Sequence, residues 1–240
     1  METIERFAEL LDCGTEAEWL EKVFRLGNDF GYRNTLLAVV PNKETSLENA
    51  FLRSNYSQQW RSTYDALRLA YVDPTVEHCI AHSTPLIWEP AIFSSEKQQE
   101  MYEEASGFGL RSGLTLPFHG ANGELGILCF VNDVRPGEKF RREAIRSMAD
   151  LTLLRDFAFE TSLVFAVKTV EQEKVTLTNR ELECLKWCAV GKSSWEIARI
   201  LHRSEAVVNF HFSNIRRKLD TTTRRQSVVK AIRLGLISPT

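Results

Sequence analysis

The chain has 240 residues, 43% hydrophobic and 26% charged, an ordinary balance that excludes a disordered or fibrous protein. Its formal charge of -2 hides an asymmetry: residues 174–240 carry 13 Lys or Arg against 5 Asp or Glu, whereas residues 1–173 carry 17 against 27. A net of +8 on the last quarter and -10 on the rest predicts two domains, of which only the tail meets a polyanion.

In chain order, residues 3–12 and 17–30 place Ile4, Phe7, Leu10 and Leu11, then Trp19, Val23, Leu26 and Phe30, at helical spacing. Thr35–Val40 is an apolar run of strand length stopped by Pro41 and Asn42, and Ala50–Leu52 leads into a second strand. Residues 58–69 read as a helix; Asp73 must turn because it precedes Pro74, and a short helix spans 75–81. Residues 86–88 are extended, and Glu96–Phe108 is a charged helix closed by Gly109. Residues 112–118 and 124–131 form a hairpin across Gly120–Ala121–Asn122–Gly123, and 143–165 is a long helix. The expected fold is an α/β/α sandwich around a central antiparallel sheet over residues 1–165. Residues 166–175, AVKTVEQEKV, lack a core-forming period and read as a linker.

Four short helices then announce themselves by their caps: Thr178 with Glu181, Ser193 with Glu196, Ser204, and Thr223 with Gln226. Gly191 closes the first. The all-α tail, residues 176–240, contains a helix-turn-helix, with residues 194–201 and 204–219 as its two helices. Trp187, Ile197, Ile200, Leu201, Val208, Ile215 and Leu219 supply the expected apolar seam. Asn209, His211, Ser213, Arg216, Arg217 and Lys218 are left for the open face or the end of the second helix. Asn209 and Ser213, four apart, stack on one side toward a major groove. Arg216, Arg217, Lys218, Arg224 and Arg225 suit phosphates. A solvated basic face accounts for the charges alone, but caps, seam, turn length and charge together favour DNA binding. The stretch TNRELECLKWCAVGKSSWEIARILHRSEAVVNFHFSNIRRKL resembles the LuxR-type helix-turn-helix through Arg180–Glu181, Trp187, Gly191–Lys192–Ser193, Glu196–Ile197–Ala198, Phe210–His211 and Lys218–Leu219. It departs at Val207, where the family often has Thr. The resemblance implies that Asn209 and Ser213 face bases.

In the first domain, residues 54–89 gather Tyr56, Trp60, Arg61, Tyr64, Tyr71, Asp73, Thr75 and Trp88. Aromatic walls with a few polar groups suit a small-molecule pocket. The same residues suit a plain core with Asp73 capping the helix after Pro74, and spacing does not separate these readings. NYSQQWRSTYDALRLAYVDPTVEHC and WEP are similar to the autoinducer-binding domain of LuxR-type quorum-sensing receptors. That resemblance implies a long-chain N-acyl-homoserine lactone as regulatory ligand, with no cofactor. It assigns the lactone carbonyl to Trp60, the amide N–H to Asp73, the amide carbonyl to Tyr56, with Thr75 nearby, and a 3-oxo group to Arg61 through water. Leu36, Val39, Ala50, Leu52, Tyr64, Val76, Trp88, Leu110, Thr115, Leu125 and Ile127 line the remaining space. Cys129 stands where a close relative's pattern has Ser, so its weak S–H donor replaces a hydroxyl near the amide carbonyl. Ile127 is bulkier than the small residue expected.

The start, METIERFAELLD, is acidic rather than a signal peptide, and no apolar run reaches the roughly 18 residues of a membrane span. Five scattered cysteines (Cys13, Cys79, Cys129, Cys184, Cys188) argue for free thiols over a disulfide framework, and the Cys184/Cys188 pair lacks the partners zinc needs. A cytoplasmic transcription activator is expected, with promoter DNA, a homodimer partner and RNA polymerase as associates and no membrane contact. The pairing surfaces expected from the resemblance are residues 143–165 and 224–234. Two alternatives stand beside it. A thiol hydrolase would recruit Cys79, His78 or His82, and Asp73 without a spacing that assembles them. A phosphorelay regulator, or one for a different small ligand, would share the same tail; a receiver needs acids clustered after an early strand and an Asp ending a parallel strand.

Overall fold

Residues 2–43, 45–170 and 177–238 are described by a computed structural model. The chain divides into two units, Met1–Thr169 and Val170–Thr240. In the first, helices α1 (Glu2–Ala8) and α2 (Glu16–Asp29) precede strands β1 (Asn34–Val40) and β2 (Phe51–Ser54). Helices α3 (Gln58–Ala66) and α4 (Pro74–Ala81), strand β3 (Leu86–Ile87) and helix α5 (Glu96–Gly107) follow. The hairpin of β4 (Ser112–His119) and β5 (Leu125–Asn132) leads into α6 (Glu138–Val170). The sheet order is β2-β1-β5-β4-β3, and every pair is antiparallel. This excludes the parallel strands that a phosphoryl-receiving domain requires.

Register decides which side chains share a face. Ser54, Leu36, Cys129, Thr115 and Leu86 lie opposite one another in one row across all five strands. The next row, Leu37, Leu128 and Leu116, points the other way because alternate strand residues face opposite sides. This second face packs on Phe7, Trp19, Val23 and Leu26 of α1 and α2 and on Leu151, Leu154 and Ala158 of α6. The first face, with Leu36, Cys129 and Val131, packs on Trp60 of α3 and on Met101 and Ala105 of α5. Both faces are buried, so the strands read as apolar runs and not as clean alternation. The result is the expected α/β/α sandwich.

The long helix outruns its expected bounds at both ends. It begins at Glu138, directly after Pro136–Gly137, because Phe140 meets the Tyr32 ring edge-on at 6.3 Å and buries the first turn. At the far end Phe165 packs 5.6 Å from the Trp19 ring, and the helix continues to Val170, through the first half of the expected linker. Residues 171–175 lie outside the described residues.

The second unit holds α7 (Asn179–Ala189), α8 (Ser194–Ile200), α9 (Glu205–Lys218) and α10 (Arg224–Arg233). Thr178/Glu181, Ser193/Glu196 and Thr223/Gln226 all form reciprocal capping boxes, and Ser204 caps α9. Gly191 ends α7 with φ +85°, a left-handed conformation that glycine adopts without strain. The core is Cys184, Leu185, Ile197, Val208, Phe212, Ile215, Leu219 and Ala231. Trp187 and Ile200, expected in the seam, are each 37% exposed. The buried stripe of α7 runs through Glu181, Cys184 and Leu185, which turns Trp187 to the neighbouring side.

Glu181 is a buried carboxylate in this core edge, only 3% exposed, and Lys218 Nζ donates to its Oε2 at 2.8 Å. Burial works against its charge, but the hydrogen bonds from Lys218 and Thr178 outweigh that and hold its carboxyl below the usual range. A depressed folded value stabilises the fold above the unfolded pKa and withdraws that stability as pH falls through the folded one. Lys218→Met is therefore expected to cost the unit about 1.5–3 kcal/mol at neutral pH and to shrink its acid-induced loss of stability. Urea titrations of the full chain from neutral to acid pH, read through amide exchange in α7, check this.

Candidate ligand pocket and nucleic-acid interface

Between the Leu36–Cys129 face of the sheet and helices α3, α4 and α5 lies a cavity, about 850 Å³ of empty space counted out to its mouth. Its walls include Leu36, Tyr56, Trp60, Arg61, Tyr64, Asp73, Thr75, Val76, Trp88, Leu110 and Cys129, all singled out in the sequence. Ala50, Leu52 and Ile127 also line it. A second, apolar cavity shares Ala38, Leu47, Ala50, Val76 and Ile127 with the first and adds Val39, Cys79, Ile80 and Leu125.

Asp73 caps α4 and also stands on the cavity wall. Its Oδ1 accepts from the Thr75 backbone N–H at 2.8 Å, capping α4, and from the Thr75 hydroxyl at 2.7 Å. Its Oδ2 accepts from the Tyr64 hydroxyl at 2.9 Å. An ionised carboxylate has about four acceptor positions; Thr75 and Tyr64 take three, and the Val76 N–H also acts on the group. Burial pushes its carboxyl up, with the Thr75 and Tyr64 hydrogen bonds opposing. Burial, with the nearby Asp73 charge, also raises the Tyr56 and Tyr64 phenols well above their ordinary value, which keeps both protonated as donors. Among the described residues nothing accepts from the Tyr56 hydroxyl or the Trp60 indole N–H. Arg61 forms an ion pair with Asp65 at 2.7 Å and lies 5.1 Å from the centre of the Tyr64 ring.

Thr115 is not on the cavity wall, contrary to expectation. It is fully buried beside Cys129 on the same sheet face, its hydroxyl covered by the Trp88 ring and the Cys129 thiol. Trp88 Nε1 donates to Thr115 Oγ1 at 2.8 Å, and Thr115 Oγ1 lies 3.2 Å from Cys129 Sγ. Gly113 makes room for Trp88: a β-carbon there would lie 2.8 Å from the ring. The sequence reading missed Ala38, Leu47, Ala70, Phe93, Met101, Tyr102 and Ala105. Met101 and Ala105, four apart on an otherwise charged helix, carried the signal as an inward stripe.

In the second unit α8 and α9 form the helix-turn-helix. Asn209, Phe210, Ser213 and Arg217 are exposed along α9, and His211 and Arg216 are half-buried. The expected basic cluster is divided. Lys218 is engaged by Glu181, and Arg224 packs 4.3 Å from the Phe212 ring centre while donating to Ser194 and Asn209. Both cations thus carry bonds inside the unit that spacing did not show.

The autoinducer binding domain model matches residues 15–162, and the model for bacterial regulatory proteins of the luxR family matches residues 175–231. The transcriptional activator protein VanR of Vibrio anguillarum is 33% identical over 94% of this chain and 93% of its own. The chain belongs to the LuxR family of quorum-sensing regulators. The regulator RhlR of Pseudomonas aeruginosa is likewise 33% identical, over 91% of this chain and 88% of its own. The structure of SdiA in complex with octanoyl-rac-glycerol superposes with a TM-score of 0.79 at 27% identity, covering 98% of this chain and 94% of that one. Escherichia coli SdiA in another crystal gives 0.77 at 26%, covering 98% and 97%.

As a LuxR-type protein the chain is a ligand-dependent transcription activator with an autoinducer-binding and a DNA-binding domain, in a family of regulators and not of enzymes. No described helix is long and apolar enough to cross a membrane. The thiol-hydrolase alternative finds no footing in this LuxR-type fold. Burial drives the Cys79 thiol far up, and His78 Nε2 is 2.7 Å from the Thr84 carbonyl oxygen. Cys129 is pushed up to about 12 by burial, against the Thr115 hydrogen bond, so it remains a thiol. The Trp88 N–H can only donate, so Thr115 Oγ1 accepts it, and either the Thr115 hydroxyl or the Cys129 thiol donates in the contact between them. Cys129→Ser puts a stronger donor in the same place, and the ligand concentration for half-maximal response is expected to stay level or fall. A reporter titration checks it.

Proposed function

We propose that this regulator is switched by an N-acyl-homoserine lactone of long chain, with a 3-oxo group reached by Arg61 through water. Asp73 takes the amide N–H, Tyr56 and Cys129 the amide carbonyl, and Trp60 the lactone carbonyl, with Thr75 beside the amide. The observation that carries this reading is a buried carboxylate on the wall of an otherwise apolar cavity, beside two uncommitted donors, Tyr56 and Trp60. An amide flanked by carbonyls on an alkyl chain matches that alternation of acceptor, donors and apolar wall. The second apolar cavity gives the chain somewhere to continue past Ile127.

A second reading comes from the octanoyl-rac-glycerol of the SdiA structure: an acyl glycerol also joins polar head to alkyl tail. Extraction of the purified protein followed by mass spectrometry separates the two. An acyl-homoserine lactone supports the first reading, an acyl glycerol the second, and protein carrying neither counts against both.

The liganded chain works as a homodimer in the cytoplasm, pairing through α6 and α10, and contacts RNA polymerase at the promoter. Asn209, His211 and Ser213 face base edges, while Arg216 and Arg217 meet phosphates. One such helix reads too few base pairs for specificity, and a two-fold pair spaces two of them by about 34–36 Å along a palindrome. Inserting five base pairs between half-sites rotates one to the opposite face of the duplex. Affinity is then expected to fall to that of a single half-site, as gel-shift titration measures; undiminished affinity rules out the symmetric dimer. The domain division that fits this scheme is 1–165, a linker from 166 to 175, and 176–240, although the long helix crosses the first boundary.

A further inference from the structure

The hydrogen bonds around Asn209 have directions that chemistry alone determines. Arg224 carries only donors. Its guanidinium, held on the Phe212 ring, spans two acceptors: Nη1 donates to Ser194 Oγ and Nη2 to Asn209 Oδ1, each at 2.5 Å. Ser194 is only 7% exposed, and since its oxygen already accepts from Arg224, its own hydrogen goes to Asn209 Oδ1 at 2.9 Å. The Asn209 oxygen therefore accepts twice, from the side facing α8 and α10. Turning the amide over would set its NH2 against the guanidinium, donor against donor, so the amide has one orientation. What it offers beyond the domain is Nδ2 with its N–H bonds.

We propose that Arg224 is a positioning residue, which pins Asn209 so that α9 presents DNA with amide donors and no acceptor at this position. The inference rests on the reading that α9 enters the major groove. An unpinned Asn pairs with adenine bidentately, accepting from N6 and donating to N7. The pinned Asn209 has no oxygen to accept with, so it reads adjacent acceptors, guanine O6 and N7 or thymine O4. Adenine N6 and cytosine N4 meet it donor to donor. Arg224 is suited to this because a planar fork reaches two acceptors together, which a lysine ammonium at the same place does not.

The test is selection of randomised half-sites by the full-length protein, expressed with the lactone N-(3-oxododecanoyl)-homoserine lactone as probe and compared with three variants. Wild type is expected to select guanine or thymine at one half-site position. Arg224→Lys keeps the charge and Arg224→Met keeps the stem over Phe212; both undo the guanidinium clamp and leave Asn209 Oδ1 only the Ser194 bond, so one lone pair can reach a base and adenine is expected to gain about tenfold relative to guanine there. Asn209→Asp keeps the bond to Arg224 but offers only acceptors, so its preference is expected to move to cytosine or adenine. A structural role alone would not alter preference at one base while leaving its neighbours unchanged. If Arg224→Met instead weakens all sequences equally, flattens the salt dependence by about one charge and is rescued by Lys, Arg224 is a phosphate contact and the inference falls. A wild type that selects no sequence overturns the DNA-reading role of α9 and this inference with it.

Discussion

Asp73→Asn is expected to raise the lactone concentration for half-maximal reporter output by about tenfold to a hundredfold, the equivalent of about 1.5–3 kcal/mol for a hydrogen bond to a charged group. The substitution is informative because it separates the two tasks of the residue. Asn caps helices about as well as Asp, so α4 keeps its first turn and the Thr75 contact. The charge is lost, and an amide whose oxygen keeps the Thr75 bonds puts its NH2 where Oδ2 stood, toward Tyr64 and the cavity. A ligand N–H arriving at that NH2 meets a donor. Trp60→Phe removes one donor while keeping a ring to pack on Phe108 and Tyr64, and a smaller loss is expected. Dose-response curves and direct binding on the same preparations check both. Variants that respond at the wild-type concentration would show that the ligand lies elsewhere.

The lactone is expected to raise the melting temperature of the N-terminal unit by about 5–10 °C at a free concentration near 100 times Kd. Binding only to the folded state at that concentration adds about 2.7 kcal/mol, and a unit of this size shifts by about 2–4 °C per kcal/mol. The physical source is the cavity between sheet and helices, walled by large side chains such as Trp60, Trp88, Phe93 and Met101. A ligand that fills it supplies packing partners to every wall at once. Differential scanning fluorimetry across a lactone titration measures the shift, with the ring-opened lactone as comparison. Coincident curves would contradict a ligand-filled core, and an equal shift with the opened ring would remove the lactone carbonyl from the account of Trp60.

Local sequence was enough wherever the deciding interaction spans a turn. Thr178/Glu181, Ser193/Glu196 and Thr223/Gln226 were legible because a capping box joins residues three apart, and the structure forms all three. The strands were legible as apolar runs, and the two domains as a reversal of charge. The pocket residues came from a resemblance covering that stretch, since aromatics and one carboxylate look the same in a core as in a site. Asp73 shows why spacing could not choose: the residue that caps α4 also lines the cavity, so a cap and a proposed ligand acceptor occupy one position.

Other roles depended on neighbours far along the chain. Thr115 was placed beside Cys129 by the register of β4 on β5, and Phe140 extended α6 because Tyr32 waits for it. Lys218 and Arg224 read as free cations in a basic run, yet one binds Glu181, 37 residues away, and the other binds Asn209, 15 residues away. A sequence states how many charges a segment carries and on which face of a helix they stand. Which of them remain available to DNA is decided when the helices pack, because a buried acceptor must find its donor inside the fold.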